Sequence, residues 1–134
     1  MKTDAEIQKT FKVFLGKDDI LEAVFLERQT DHQDELRQAQ LMLGELLDYF
    51  KTNPNEKFNF LIDLSPMGKS SYVMGRNARS YYKENLMPEK IKKMAIITES
   101  AVIKTLITFV LMAIRQKNIS FFTSKEEALA WIKK

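Results

Sequence analysis

The chain has 134 residues, enough for one domain with its own core and too few for two. Its hydrophobic and charged fractions, 45% and 29%, are those of a globular domain rather than a disordered or membrane-embedded chain. It has no cysteine, which excludes disulfides, thiolate nucleophiles and cysteine-ligated zinc, and suits the reducing cytosol.

The net charge of +3 is unevenly spread. Residues 1–63 carry 8 Lys/Arg against 13 Asp/Glu, residues 64–94 carry 7 against 2, and residues 95–134 carry 6 against 3. That basic middle is too slight for duplex nucleic acid, where each phosphate neutralised takes a Lys or Arg on one face. No nucleic-acid partner is expected. The polar opening, Met1 to Glu6, lacks the apolar run of a signal peptide, and residues 1–9 are left open to disorder. The longest apolar-rich run, Ala101 to Ile114, falls short of the roughly 20 residues that span a bilayer.

Thr10 to Arg28 reads as a β-hairpin. Phe11, Val13 and Leu15 alternate with Lys12 and Phe14, and Leu21, Ala23 and Phe25 follow the turn Gly16-Lys17-Asp18-Asp19. Adjacent Asp18 and Asp19 are read as a solvated turn, because two neighbours cannot aim enough ligands at a cation. Thr30 and Asp31 are N-cap residues, and Leu36, Ala39, Leu43, Leu46, Leu47 and Phe50 recur at helical spacing, which predicts a helix from His32 to Thr52. Asn53-Pro54-Asn55 stops it.

Phe58 to Leu64 is apolar at nearly every position and is predicted to be a central strand covered on both faces. A polar loop, Ser65 to Ser71, leads to a predicted helix from Tyr72 to about Leu86, ended by Pro88, with Met74, Ala78, Tyr81 and Tyr82 facing inward. Lys92 to Thr98 is a second buried strand. Glu99 to Lys117 is the most apolar helix, with apolar residues on more than one face. Either it carries a wide core-facing stripe, or Leu106, Phe109, Val110 and Ala113 bury a second face against a twin subunit. Ile119 to Thr123 is a short strand, and Ser124 with Glu127 forms a capping box that starts the last helix through Ala128, Leu129, Trp131 and Ile132. The order ββαβαβαβα predicts a single α/β domain with a mixed, mostly parallel sheet and helices packed on it.

The loop after the central strand is the best candidate site. Gly68-Lys69-Ser70 has the tail of a phosphate-binding loop, but the motif's first glycine falls on Asp63, whose carboxylate would repel phosphate. No G-x-S-x-G elbow is present, and the single histidine, His32, lies upstream of these serines. An enzyme would need Asp63 and His32 to converge in one cleft, so no catalytic residue, metal or cofactor is assigned.

The chain resembles the STAS-type domains, and within them the SpoIIAA-like branch. The likeness rests on the element order, the buried strand ending Asp63-Leu64-Ser65, the loop closing on Ser70-Ser71, and the tail Ser124-x-x-Glu127-Ala128-x-x-Trp131. It implies a non-enzymatic cytosolic regulatory module like the anti-sigma-factor antagonists, in which a partner kinase phosphorylates a serine of this loop. Ser71, with Ser70, takes that place here; Lys69 and Tyr72 stand where the family pattern has an acid and a glycine. Capping of the following helix by Ser70 or Ser71 is the competing reading. Asp63, Ser65, Lys69, Arg76 and Arg79 would form the docking surface for a protein partner, and the apolar helix would make a homodimer. The likeness extends to CRAL-TRIO-like domains, which implies an alternative: a small lipophilic ligand held between the apolar helix and Tyr72, Tyr81 and Tyr82.

Overall fold

In the computed structural model of the chain, residues 1–68, 74–113 and 118–134 are described, and the side chains of residues 106, 109, 110, 111 and 113 are outside the description. A five-stranded sheet runs through the domain in the order β1-β2-β3-β4-β5. Strands β1 (Phe11–Leu15) and β2 (Ile20–Phe25) form the expected antiparallel hairpin, with Phe11 opposite Phe25 and Leu15 opposite Leu21. The turn between them uses Asp18 and Asp19 at positive φ (59° and 57°), the left-handed region that Asp tolerates better than most side chains. From β2 onward every pairing is parallel: β2 with β3 (Phe58–Asp63), β3 with β4 (Ile91–Ile97), and β4 with β5 (Ile119–Phe122).

Because consecutive parallel strands are neighbours, the crossover helices fall on one face of the sheet. These are α2 (His32–Thr52), α3 (Arg76–Asn85) and α4 (Ala101–Ala113). They bury Met42, Leu43, Leu46, Phe50 and Ile103 against Phe25, Phe58, Phe60, Met94 and Ile96. The opposite face is covered by the last helix, α5 (Lys125–Ile132), which seats Ala128 and Ile132 on Ile20, Leu61, Ala95 and Ile97. Ser124 caps α5 by accepting from the Glu127 N–H (3.2 Å), as its place before the helix predicts. The mixed, mostly parallel α/β sheet expected from the sequence is the one observed.

Two expectations are corrected. Residues 1–9 are not a loose tail: Asp4–Gln8 is a short helix, α1, capped reciprocally by Thr3 and Glu6, with Ile7 buried in the main core. Lys2 ties this end down, its backbone N–H donating to Asp34 and its ammonium to Gln29. The observed order is therefore αββαβαβαβα. The second correction concerns α3, which begins at Arg76 rather than Tyr72. Met74 and Gly75 are non-helical, and Gly75 is the N-cap residue. Its N–H donates to the Glu35 carboxylate of α2 (2.7 Å), which fixes where the helix starts. A Cβ at residue 75 would sit 2.5 Å from His32 Nδ1 and 2.8 Å from Glu35 Oε1, so any larger residue would have to push aside the His32 ring and the carboxylate that holds this turn.

Candidate functional site

The C-terminal ends of parallel strands are where α/β sheets place their ligand sites, since loops and helix N-termini converge there. Here β3 ends at Asp63 and turns at once into a single 3₁₀ turn, Ser65–Met67. Asp63 faces the α5 side of the sheet, in register with Val24 and Ile97. Its carboxylate accepts from both the backbone N–H and the hydroxyl of Ser65 (2.9 and 2.6 Å), so acid and serine form one clasp that holds the start of the loop. Ser65 and Pro66 are exposed. Gly68 closes the turn at φ 64°, a conformation costly for any side chain.

Of the remaining predicted docking and switch residues, Arg76 is exposed at the start of α3 and Arg79 is half-buried. Lys69, Ser70 and Ser71 lie outside the described residues, as do the side chains of Leu106, Phe109, Val110 and Ala113 of the expected dimer face. The N-cap of α3 is Gly75, and the capping expected of Ser70 or Ser71 falls on residues outside the description. Asp63 and His32 do not converge. His32 stands exposed at the head of α2, on the other face of the sheet from Asp63, with its Nδ1 3.5 Å from Glu35. Asp18 pairs with Lys133 (3.0 Å).

Behind the turn after β3 lies a space of the kind the lipophilic-ligand alternative needs, bordered by Tyr82 of the tyrosines named for it and by Ile103 and Ile107 of α4. A cavity of about 150 Å³ lies between the sheet and the three crossover helices. Phe25, Phe60, Ile62 and Met94 form its floor, and Met42, Leu46, Ile103 and Ile107 close it from α2 and α4. Leu64 and Met67 reach it from the turn after β3, and Met74 from the far side of the loop. At the strand C-termini Arg28, Gln29, Glu35, Gln38, Arg79 and Tyr82 also border it, though nearly all of the surface it exposes is apolar.

The elements explain why these polar residues meet there. Arg28 and Gln29 follow the end of β2, Glu35 and Gln38 occupy the first turns of α2, and Arg79 and Tyr82 the first turns of α3. A crossover helix runs antiparallel to its strands, so all of these arrive at one edge. Gln38 donates to Thr10 and to the Glu27 carbonyl. Glu35 accepts from Gly75 as above. The Tyr82 hydroxyl is pushed well up from its ordinary value, first by burial and then by the neighbouring Glu35 carboxylate, so it stays neutral and can donate. Among the described residues, the buried donors Gln29 Nε2 and Arg79 Nε find no partner. Sequence reasoning named Arg79 for its exposed helical face, but gave Gln29, Glu35 and Gln38 no role. Nothing in local periodicity marks residues whose only shared property is the end of the sheet they reach.

No helix among the described residues is long and apolar enough to cross a membrane, and those residues contain no cluster of three His, Asp or Glu able to hold a metal ion. Comparison with curated proteins and with solved structures gave no match. The family comparison did: residues 23–133, from the middle of β2 to the end of α5, match the SpoIIAA-like family. With the mostly parallel sheet and α-helical crossovers the sequence pattern implied, this chain belongs to the SpoIIAA-like family.

Proposed function

We propose that the chain is a non-enzymatic, cytosolic regulatory module that docks a protein partner through the Ser65–Ser71 loop and the first turns of α3. The observation that carries this reading is the Asp63–Ser65 clasp. It fixes an exposed turn at the C-terminal end of a central strand, the position from which a loop can be read by a partner. Arg76 is exposed at the start of α3, and Lys83 lies further along the same helix, also exposed, which favours an acidic patch on that partner. A serine-directed kinase of the anti-sigma-factor type fits the family. Phosphate on Ser71 would add nearly two negative charges to the loop and change the docking surface.

The test is capture of partners from the source lysate with wild-type protein, Ser71→Asp and Arg76→Glu, with cross-links mapped by mass spectrometry. The expected result is a partner cross-linked to the loop and α3, with capture reduced at least tenfold by either substitution. A partner bound equally by all three proteins overturns the proposal. We also propose that α4 carries a homodimer contact, supported by the exposure of two large apolar side chains on it, Val102 and Met112 (68% exposed). Light scattering at high concentration should give twice the 15.7 kDa chain mass, and Met112→Glu should return the monomer.

A second reading is favoured by a specific observation. The apolar cavity beneath the loop suits a small lipophilic ligand, the alternative implied by the CRAL-TRIO-like resemblance.

A further inference from the structure

The cavity exists because α3 packs chiefly on α2 and α4 and is not seated on the sheet. Of its ten residues only Ala78 is buried. Ile62 shows the result. It lies on β3 in register with Ala23 and Ile96, both of them buried, yet it is itself only half-buried. Met67, Met74, Tyr82 and Leu86, around the same space, are half-buried too. A sheet face covered by helices is ordinarily packed shut.

What enters that space must be apolar. Among the described residues that line it, nearly all of the exposed surface is apolar. Gln29 Nε2 and Arg79 Nε are sealed behind that lining with essentially no accessible surface, so a ligand does not reach them. A charge carried inside would give up its water and meet no partner. The volume, about 150 Å³, is enough for one benzene-sized ring. The cavity is partly open, so a longer chain can lodge one end in it and leave the rest, with any polar head, outside.

The walls are also adaptable. Met42, Met67, Met74 and Met94, four of the chain's seven methionines, line the space. Their unbranched, polarisable side chains re-form around different contents more readily than branched ones. Two of the four lead to the proposed docking surface. Met67 belongs to the turn whose start the Asp63–Ser65 clasp holds, and Met74 immediately precedes Gly75, the N-cap of α3. Turn and helix head therefore meet the cavity from within, while Ser65, Pro66 and Arg76 stand exposed.

We propose that this cavity binds an uncharged hydrocarbon group, and that occupancy holds the turn after β3 and the head of α3 in place from within. The group is a free small apolar molecule or one end of a fatty chain whose head stays at the mouth; the walls meet the same chemistry in both. This regulation rests on the lipophilic-ligand reading and adds a consequence to it. Filling the cavity firms the surface that Ser65, Pro66 and Arg76 offer to a partner.

Titration calorimetry on the full chain with ethylbenzene, phenylacetate, 1-decanol and decanoate tests the ligand, and hydrogen exchange followed by mass spectrometry tests the regulation. Ethylbenzene should bind with one-to-one stoichiometry and at least tenfold more tightly than phenylacetate, whose short arm cannot keep its charge outside. Decanol or decanoate bound more tightly than ethylbenzene assigns the fatty chain as the source, and the reverse order assigns the small molecule; both support a hydrocarbon group. At saturating ethylbenzene the backbone amides of residues 64–68 and 74–82 should exchange at least threefold more slowly, and those of α5, on the other face of the sheet, should change less. Ile62→Phe, which fills part of the space, should weaken ethylbenzene binding at least tenfold; should it not fold, the wild-type ranking and exchange decide. Phenylacetate bound as tightly as ethylbenzene overturns the uncharged assignment but leaves the lipophilic-ligand reading standing. Slowing no greater than that of α5 overturns the regulation alone. If none of the four binds, the ligand reading falls together with the inference.

Discussion

Replacing Leu61 by alanine is expected to lower the free energy of unfolding by about 4 kcal/mol, near the upper end of the ~2–5 kcal/mol range for such truncations. Leu61 lies in the middle of β3 with 0% exposure, on the face that α5 covers. The cost of a truncation depends on how far the surroundings can close over the space left behind. Here they have little to offer. Ala95 beside it and Ala128 above it are already small, and the sheet backbone beneath is held by parallel ladders to β2 and β4. Folded domains are stable by only about 5–15 kcal/mol, so the loss takes a large share of the total. Urea denaturation should show a lower midpoint with an unchanged slope. Leu47→Ala, at an exposed position of α2, is the control and should cost less than about 1 kcal/mol. A Leu61→Ala loss no larger than the control's would mean that α5 does not seal this face.

Much of this architecture was legible because its signals are local and repeated. The periodicity of Leu36 to Phe50 placed α2 at its observed limits, and the apolar run from Phe58 marked a strand covered on both faces. The missed features lack such repetition. Helix α1 has five residues and buries one of them, so no period can appear; what fixes it is the Thr3–Glu6 capping box and the long-range tether from Lys2. The late start of α3 was foreshadowed by Gly75, a poor helix former, but the reason for that glycine lies on α2, forty residues away in sequence. The candidate site divides in the same way. Asp63 and Ser65 stand two apart and were named from the sequence as docking residues, though not for the clasp they form. The polar border of the cavity draws one or two residues from each of three elements, and only the parallel topology brings them together.

A buried carboxylate on β2 leads to the second large effect. Glu22 was passed over in the sequence because its neighbours Leu21 and Ala23 defined the inward face of the hairpin. The alternation of a strand sends it to the other face, in register with Leu61, under α5. Its side chain is 6% exposed and lies 2.9 Å from the ammonium of Lys125, the first residue of α5, which is itself 51% exposed. Gly16 packs over it so closely that a Cβ there would collide with the carboxylate. Removing one partner of a buried ion pair leaves a charge that water cannot reach, at about 3–5 kcal/mol; an exposed pair is worth less than about 1 kcal/mol. This pair is buried at one end and wet at the other, so Lys125→Met should cost about 3 kcal/mol, somewhat below the Leu61 truncation. The asymmetry is the sharper expectation. Glu22→Leu in the Lys125→Met background should restore most of the loss, because the apolar pair removes the stranded charge rather than adding contact. A double-mutant cycle followed by urea denaturation measures this directly. A Lys125→Met cost below about 0.5 kcal/mol would show that Glu22 is solvated and that the pair does not hold the first turn of α5 to the sheet.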